Sequence, residues 1–166
     1  MQNFSDLFGI SKRQLPPKSF IRMYGNGGQA GSGASIFYFE SVFERAGADI
    51  ELINSASAGT LFKIHADGFY HMRFQYTIEA FATVGSRYAY IGWTKNAPGF
   101  SGTLPPLTTV LAQNLVPAID AIENMGEATC VAFLKAGDQI FPSFSGVGIT
   151  TPSADGLVHC AITRIA

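Results

Sequence analysis

The sequence predicts an all-β protein, a sandwich or barrel of about eight antiparallel strands behind an extended N-terminal arm. Three observations carry that expectation. Residues 69–80 alternate apolar and polar side chains without a break. Short runs of strand-favouring residues recur along the chain, separated by Gly, Pro and Asp turn signals. The composition is rich in rings and glycine, with 14 Phe, 6 Tyr and 18 Gly. Charged residues are only 14%, against about 25% in an average soluble domain.

The elements follow in order. Residues 1–24 read as an arm: Phe4, Leu7, Phe8 and Ile10 can form one amphipathic turn, and Pro16 and Pro17 then force extended backbone. Residues 25–33 hold five glycines and read as a flexible linker, so the domains are an arm and linker over 1–33 and a folded body over 34–166. Ile36 to Arg45 forms a first strand, turned by residues 46–49, and Ile50 to Ile53 and Leu61 to His65 form two more. Asp67 and Gly68 mark a tight turn.

In residues 69–80, Tyr70, Met72, Phe74, Tyr76, Ile78 and Ala80 share one face, and His71, Arg73, Gln75, Thr77 and Glu79 the other. Period two over that length predicts a strand with one buried and one wet face. Arg87 to Lys95 is a further strand, and residues 96–106 form a loop. Residues 107–124 allow two readings: a strand over Thr108 to Val110, and a helical turn over Ala118 to Asn124 begun at Pro117. Ala128 to Lys135, Gln139 to Phe144 and Val158 to Ile165 complete the set. In the last, Val158, Cys160 and Ile162 face one way, and His159, Ala161 and Thr163 the other.

A chain of 166 residues suits one domain, which runs to roughly 100–200 residues. The net charge of −1 gives no global field for nucleic acid or an anionic membrane. No window reaches the about 18 apolar residues of a membrane span, and the N-terminus lacks the basic and apolar regions of a secretory signal. The distribution of charge is uneven: residues 1–24 carry Lys12, Arg13, Lys18 and Arg22 against Asp6 alone. Cys130 and Cys160 both lie in apolar runs. Two thiols do not make a disulfide scaffold, and a reducing compartment at synthesis is expected.

Two stretches resemble a known family. Asp67 to Phe74 resembles the Gly-x-Tyr-x-Phe strand of the complement-globular-head and tumour-necrosis-factor-like jelly rolls, and Phe133 to Ile140 resembles their Leu-x-x-Gly-Asp-x-Val turn. The run from Phe37 to Phe74 is more specifically similar to small jelly-roll proteins of tailed-phage virions, which decorate heads or tip fibres. The likeness spans residues 36–165. It implies a jelly-roll β-sandwich that assembles as a homotrimer. The chain departs from the secreted members in showing no collagen-like stalk and no signal segment, and its closing strand lacks their aromatic pattern.

No enzyme is expected, and no cofactor or metal. The glycines of 25–33 lead into a β run, so they lack the Lys-Ser or Lys-Thr and the helix that a phosphate loop needs. His65, Asp67 and His71 flank one hairpin at different heights. Gly99 to Gly102 has the wrong spacing for a nucleophile elbow, and Glu40 with Glu44 reads as a wet face. Tyr76, Tyr88, Tyr90 and Trp93 admit two readings, an oligomer or sugar-binding surface and a buried core.

The expected function is therefore a virion structural protein. It is a homotrimer that decorates the capsid and grips the major capsid protein or another virion protein through an arm surface of Phe4, Leu7, Phe8, Arg13, Lys18 and Arg22. Its expected location is the virion, after synthesis in the host cytoplasm. The alternative is a fibre or tail tip that binds a host-surface glycan.

Overall fold

The computed structural model describes residues 19–25, 37–39, 41–57, 59–78, 87–96, 109–118, 124–147 and 158–166. Among them lie ten strands: β1 Phe20–Tyr24, β2 Ser41–Ala46, β3 Ile50–Ser55, β4 Gly59–Ile64, β5 Gly68–Ile78, β6 Arg87–Lys95, β7 Val110–Ala118, β8 Asn124–Leu134, β9 Gln139–Val147 and β10 His159–Arg164. They form two five-stranded sheets, ordered β2-β1-β10-β5-β8 and β3-β4-β9-β6-β7. Every registered pairing is antiparallel. The chain is a jelly-roll β-sandwich.

The first sheet is built on the alternation of β5. Tyr70, Met72, Phe74 and Tyr76 are all buried, and His71 and Arg73 face out. The wet face stops there, however. Gln75 and Thr77 are also buried, because β8 and β10 flank them with Glu127, Met125 and His159. The Gln75 amide donates to the Met125 sulfur. β10 behaves as its pattern requires, with Val158, Cys160 and Ile162 in the core.

The arm boundary needs correction. Residues 20–24 are a strand between β2 and β10, in register from Phe20 opposite Thr163 to Tyr24 opposite His159. Ile21 and Met23 enter the core from it. The folded body thus begins by Ser19, inside the segment that the sequence assigns to the arm. Two further expectations change. The strand expected over Ile36 to Arg45 divides: Phe37 and Phe39 turn into the core, while β2 joins the first sheet. Pro117 and Ala118, read as the start of a helical turn, belong to β7. β7 is an edge strand, where a missing N–H is tolerated.

The core is aromatic. Phe37 stacks near Phe39 at 4.7 Å between ring centroids and meets Tyr76 edge-on at 5.6 Å. Trp93 packs against Phe62 at 6.1 Å and Phe74 at 6.2 Å. Such pairs contribute about 0.5–1.5 kcal/mol each beyond burial.

Three carboxylates fix the turns. The Ser19 hydroxyl donates to Asp49 Oδ2 at 2.8 Å and accepts the Asp49 N–H at 3.1 Å, while Arg164 donates to the same carboxylate oxygen at 3.0 Å. That hydroxyl, and then Arg164, hold the Asp49 carboxyl below its ordinary pKa against the opposing effect of burial. Asp67 accepts the Ala136 N–H at 2.8 Å and so joins the β4–β5 and β8–β9 turns. Asp138 accepts the Lys135 N–H and the Asn96 amide, each at 2.9 Å. The Gly-Asp motif is therefore a structural clamp.

Candidate functional site

β8 shows where the molecule presents itself. Its inward positions from 126 to 132 are small, Gly126, Ala128, Cys130 and Ala132, before Leu134 closes the row in the core. Its outward positions hold the bulk, with Met125, Val131 and Phe133 exposed by 56%, 57% and 50%. This inverts the usual assignment of large apolar residues to the core. The reason lies beneath β8, where Trp93 from the opposite sheet and Phe74 from the neighbouring strand already fill the space. Trp93 Nε1 reaches the Ala128 carbonyl at 3.2 Å.

Cross-strand register extends that outward surface. Phe133 stands opposite Phe69, their rings edge to face at 5.4 Å, and Ile165 hydrogen-bonds beside them through its N–H to the Phe69 carbonyl at 2.8 Å. Phe69, Phe133, Val131 and Ile165 make an exposed apolar patch at one end of the β2-β1-β10-β5-β8 sheet.

The other end of this face is a groove of about 680 Å³ over β10. Its floor is Ala161, flanked along the strand by His159 and Thr163. Register places Arg22 of β1 and Arg73 of β5 on either side of Ala161. Each arginine is tied on its outer side to a glutamate: Arg22 to Glu44 at 3.4 Å and Arg73 to Glu127 at 2.7 Å. The Arg73 hydrogen bond pulls the Glu127 carboxyl below its ordinary pKa. Tyr24 and Phe43, an edge-to-face pair at 5.8 Å, form an end wall. Burial, and then the nearby Arg73 charge, lower the His159 pKa.

The residues singled out from sequence scatter. Phe4, Leu7, Phe8, Arg13 and Lys18 lie outside the described residues. Arg22 is on β1, facing the groove, so it does not belong to an arm. Tyr76 and Trp93 are buried in the core and offer no surface, because the rings of both sheets interlock around them. Tyr90 is partly buried on β6, and the Tyr88 ring lies outside the described residues. The four aromatics thus form no common platform. Sequence reasoning missed the patch and the groove. The alternating small and large residues of β8 are the signal that was available.

Burial pushes the Cys130 thiol up to about 11 and also raises the Cys160 thiol well above its ordinary value, so neither is an activated nucleophile. His65 bonds Glu51 at 2.8 Å, and Asp67 is engaged by its turn. Among the described residues no group of three could hold a metal ion.

No family model matches the chain, and no curated protein matches it. Solved structures do. Crystal structures of murine APRIL at pH 8.0, 8.5 and 5.0 are similar to it with TM-scores of 0.60, 0.57 and 0.57. Sequence identities are 14%, 13% and 10%, and each match covers 89% of this chain and 99% of the other. What this likeness shows is the fold: the chain has the jelly-roll sandwich of the tumour-necrosis-factor-like proteins.

Proposed function

We propose that this chain is a self-assembling structural protein, a homotrimer joined through the outward face of the β2-β1-β10-β5-β8 sheet, that decorates a virion surface. The observation that carries assembly is the apolar patch of Phe69, Val131, Phe133 and Ile165 on one end of a single sheet face. Exposed apolar groups gathered in one place mark interaction surfaces. Burying a Val or Phe side chain contributes about 1.5–3 kcal/mol. Trimeric order rests on the jelly-roll resemblance of residues 36–165, and the virion setting on the more specific likeness of the run from Phe37 to Phe74 to small virion jelly rolls. The fibre-tip alternative loses its aromatic platform, since Tyr76 and Trp93 are interior.

Sedimentation equilibrium of the full chain tests assembly. Three chain masses are expected at micromolar concentration, and Phe133→Asp with Val131→Asp is expected to yield a folded monomer. A monomeric parent would overturn the assembly reading. Attachment is tested by deleting residues 1–17, which spares Ser19 and β1, and sedimenting the protein with undecorated capsids. Undiminished co-sedimentation would refute an attachment role for the N-terminal segment, and failure of the intact protein to co-sediment would refute decoration.

A further inference from the structure

We propose that mild acid dissociates this protein, given the trimer proposed for it, by charging His71 and His159 on the assembly face. Both imidazoles lie on the outward side of the β2-β1-β10-β5-β8 sheet, at positions that alternate with the buried Met72 and Cys160. His71 stands on β5 opposite Val131 of the apolar patch. His159 stands on β10 opposite Tyr24, which is 49% exposed beside Phe43 at 68%. Exposed apolar groups thus lie at both ends of the face, and subunits joined along its length cover the histidines between them.

The charges already on this face are balanced. Arg22 is paired with Glu44, and Arg73 with Glu127. Those two glutamates are the carboxylates on the outward positions of its described strands, and neither histidine enters an ion pair among the described residues. With neutral imidazoles, burying the face leaves no charge without a partner. A proton on either histidine finds no carboxylate that an arginine does not already hold.

The surroundings of each ring add to this. Tyr24 and Arg22 flank His159 from β1, and Gln75 and Arg73 from β5, while Glu127 lies beyond them in the grip of Arg73. Around His71, β10 contributes Thr163 and Ala161 and β8 contributes Val131 and Thr129, all uncharged. Its charged neighbour is Arg73, two residues along the same strand. Withdrawal from water disfavours a charged imidazole, and each copy in a trimer brings the same two rings. A free subunit therefore takes up protons more readily than an assembled one, and falling pH drives dissociation. Imidazoles as a class titrate between about pH 5 and 8, above the range in which the Asp49 and Asp138 carboxyls, lowered from 3.8, lose their charge.

Sedimentation equilibrium of the full chain at about pH 8 and about pH 5, with circular dichroism of the same samples, tests this. A trimer is expected at the higher pH and a folded single chain at the lower, the dissociation constant rising at least about a hundredfold. The double variant His71→Gln with His159→Gln cannot take on the charge and is expected to stay trimeric in acid. Calorimetric dilution of the parent in buffers of different ionisation enthalpy should show net proton uptake on dissociation, and this readout decides if the double variant fails to assemble. A parent that is monomeric at both pH values would overturn the assembly reading and the switch with it. A trimer equally tight at both would overturn the switch alone. So would dissociation of the double variant in acid as complete as the parent's, dissociation without proton uptake, or loss of the β-sheet signal together with the trimer.

Discussion

The indole N–H of Trp93 donates to the backbone carbonyl of Ala128 at 3.2 Å, joining the two sheets through the middle of the sandwich. Trp93 lies on β6 and Ala128 on β8, which belong to different sheets. The ring fits only because position 128 carries a methyl group. Asn114 adds a second link nearby, donating to the Glu127 carbonyl at 3.0 Å.

Trp93→Phe removes the donor and leaves a buried carbonyl without its partner. A loss of about 1–3 kcal/mol is expected. Ala128→Leu overpacks the same place and is expected to cost about 1–3 kcal/mol. Urea unfolding of the two single variants measures both effects.

Gly47 and Gly137 both have left-handed backbone, with φ of +76° and +95°, yet they differ in surroundings. A Cβ at Gly137 meets nothing within 4 Å, while at Gly47 it would lie 2.7 Å from the Ser19 Cα and collide with the Ser19 hydroxyl. Gly137→Ala is expected to cost about 1–2 kcal/mol, the conformational penalty alone. Gly47→Ala should cost more, because displacing Ser19 also breaks its bonds to Asp49. Equal denaturation midpoints for the two would contradict this account.

Asp138 contributes to the acid side of stability, together with Asp49 and Glu127. Burial alone would raise its pKa, but the Lys135 N–H, the Asn96 amide and the Lys95 charge together bring it below its ordinary 3.8. A carboxylate with a lowered folded pKa stabilises above its unfolded value, and that contribution fades as pH falls through the folded one. Asp138→Asn should therefore flatten the stability profile below about pH 4. Acid titration of the folded fraction by circular dichroism reads this directly.

His159 acts in the neighbouring pH window with the same sign. Its folded pKa is lowered from 6.5, first by burial and then by Arg73. The unfolded chain therefore binds a proton more readily, and stability falls as pH drops below 6.5 toward the folded value. His159→Gln should remove that slope. Melting temperatures taken from neutral to mildly acid pH compare the two proteins, and an unchanged slope would reject the assignment.

The legible parts of this fold were those where local pattern and long-range pairing agree. The alternation of Tyr70 to Tyr76 specifies β5, and that of Val158 to Ile162 specifies β10. The same alternation already sets Tyr76 on the apolar face, so a surface role for its ring conflicts with its own strand. β1 was hidden because five residues between a proline pair and a glycine stretch carry little periodic signal. Its partner is β10, far along the chain, and nothing local announces that pairing. The groove was invisible for a related reason. Arg22, Ala161 and Arg73 meet only through the register of three strands.

That neighbourly relation of β1 and β10 bears on how the protein is made. Phe20 leaves the ribosome long before Thr163, its opposite number. Until His159 to Arg164 emerge, β1 and β5 each face a vacant seat where β10 belongs, with backbone donors and acceptors bare. Pairings so distant in sequence form slowly. The interval between synthesis and closure is thus the protein's hour of greatest exposure to aggregation, and prematurely terminated chains would remain in it permanently.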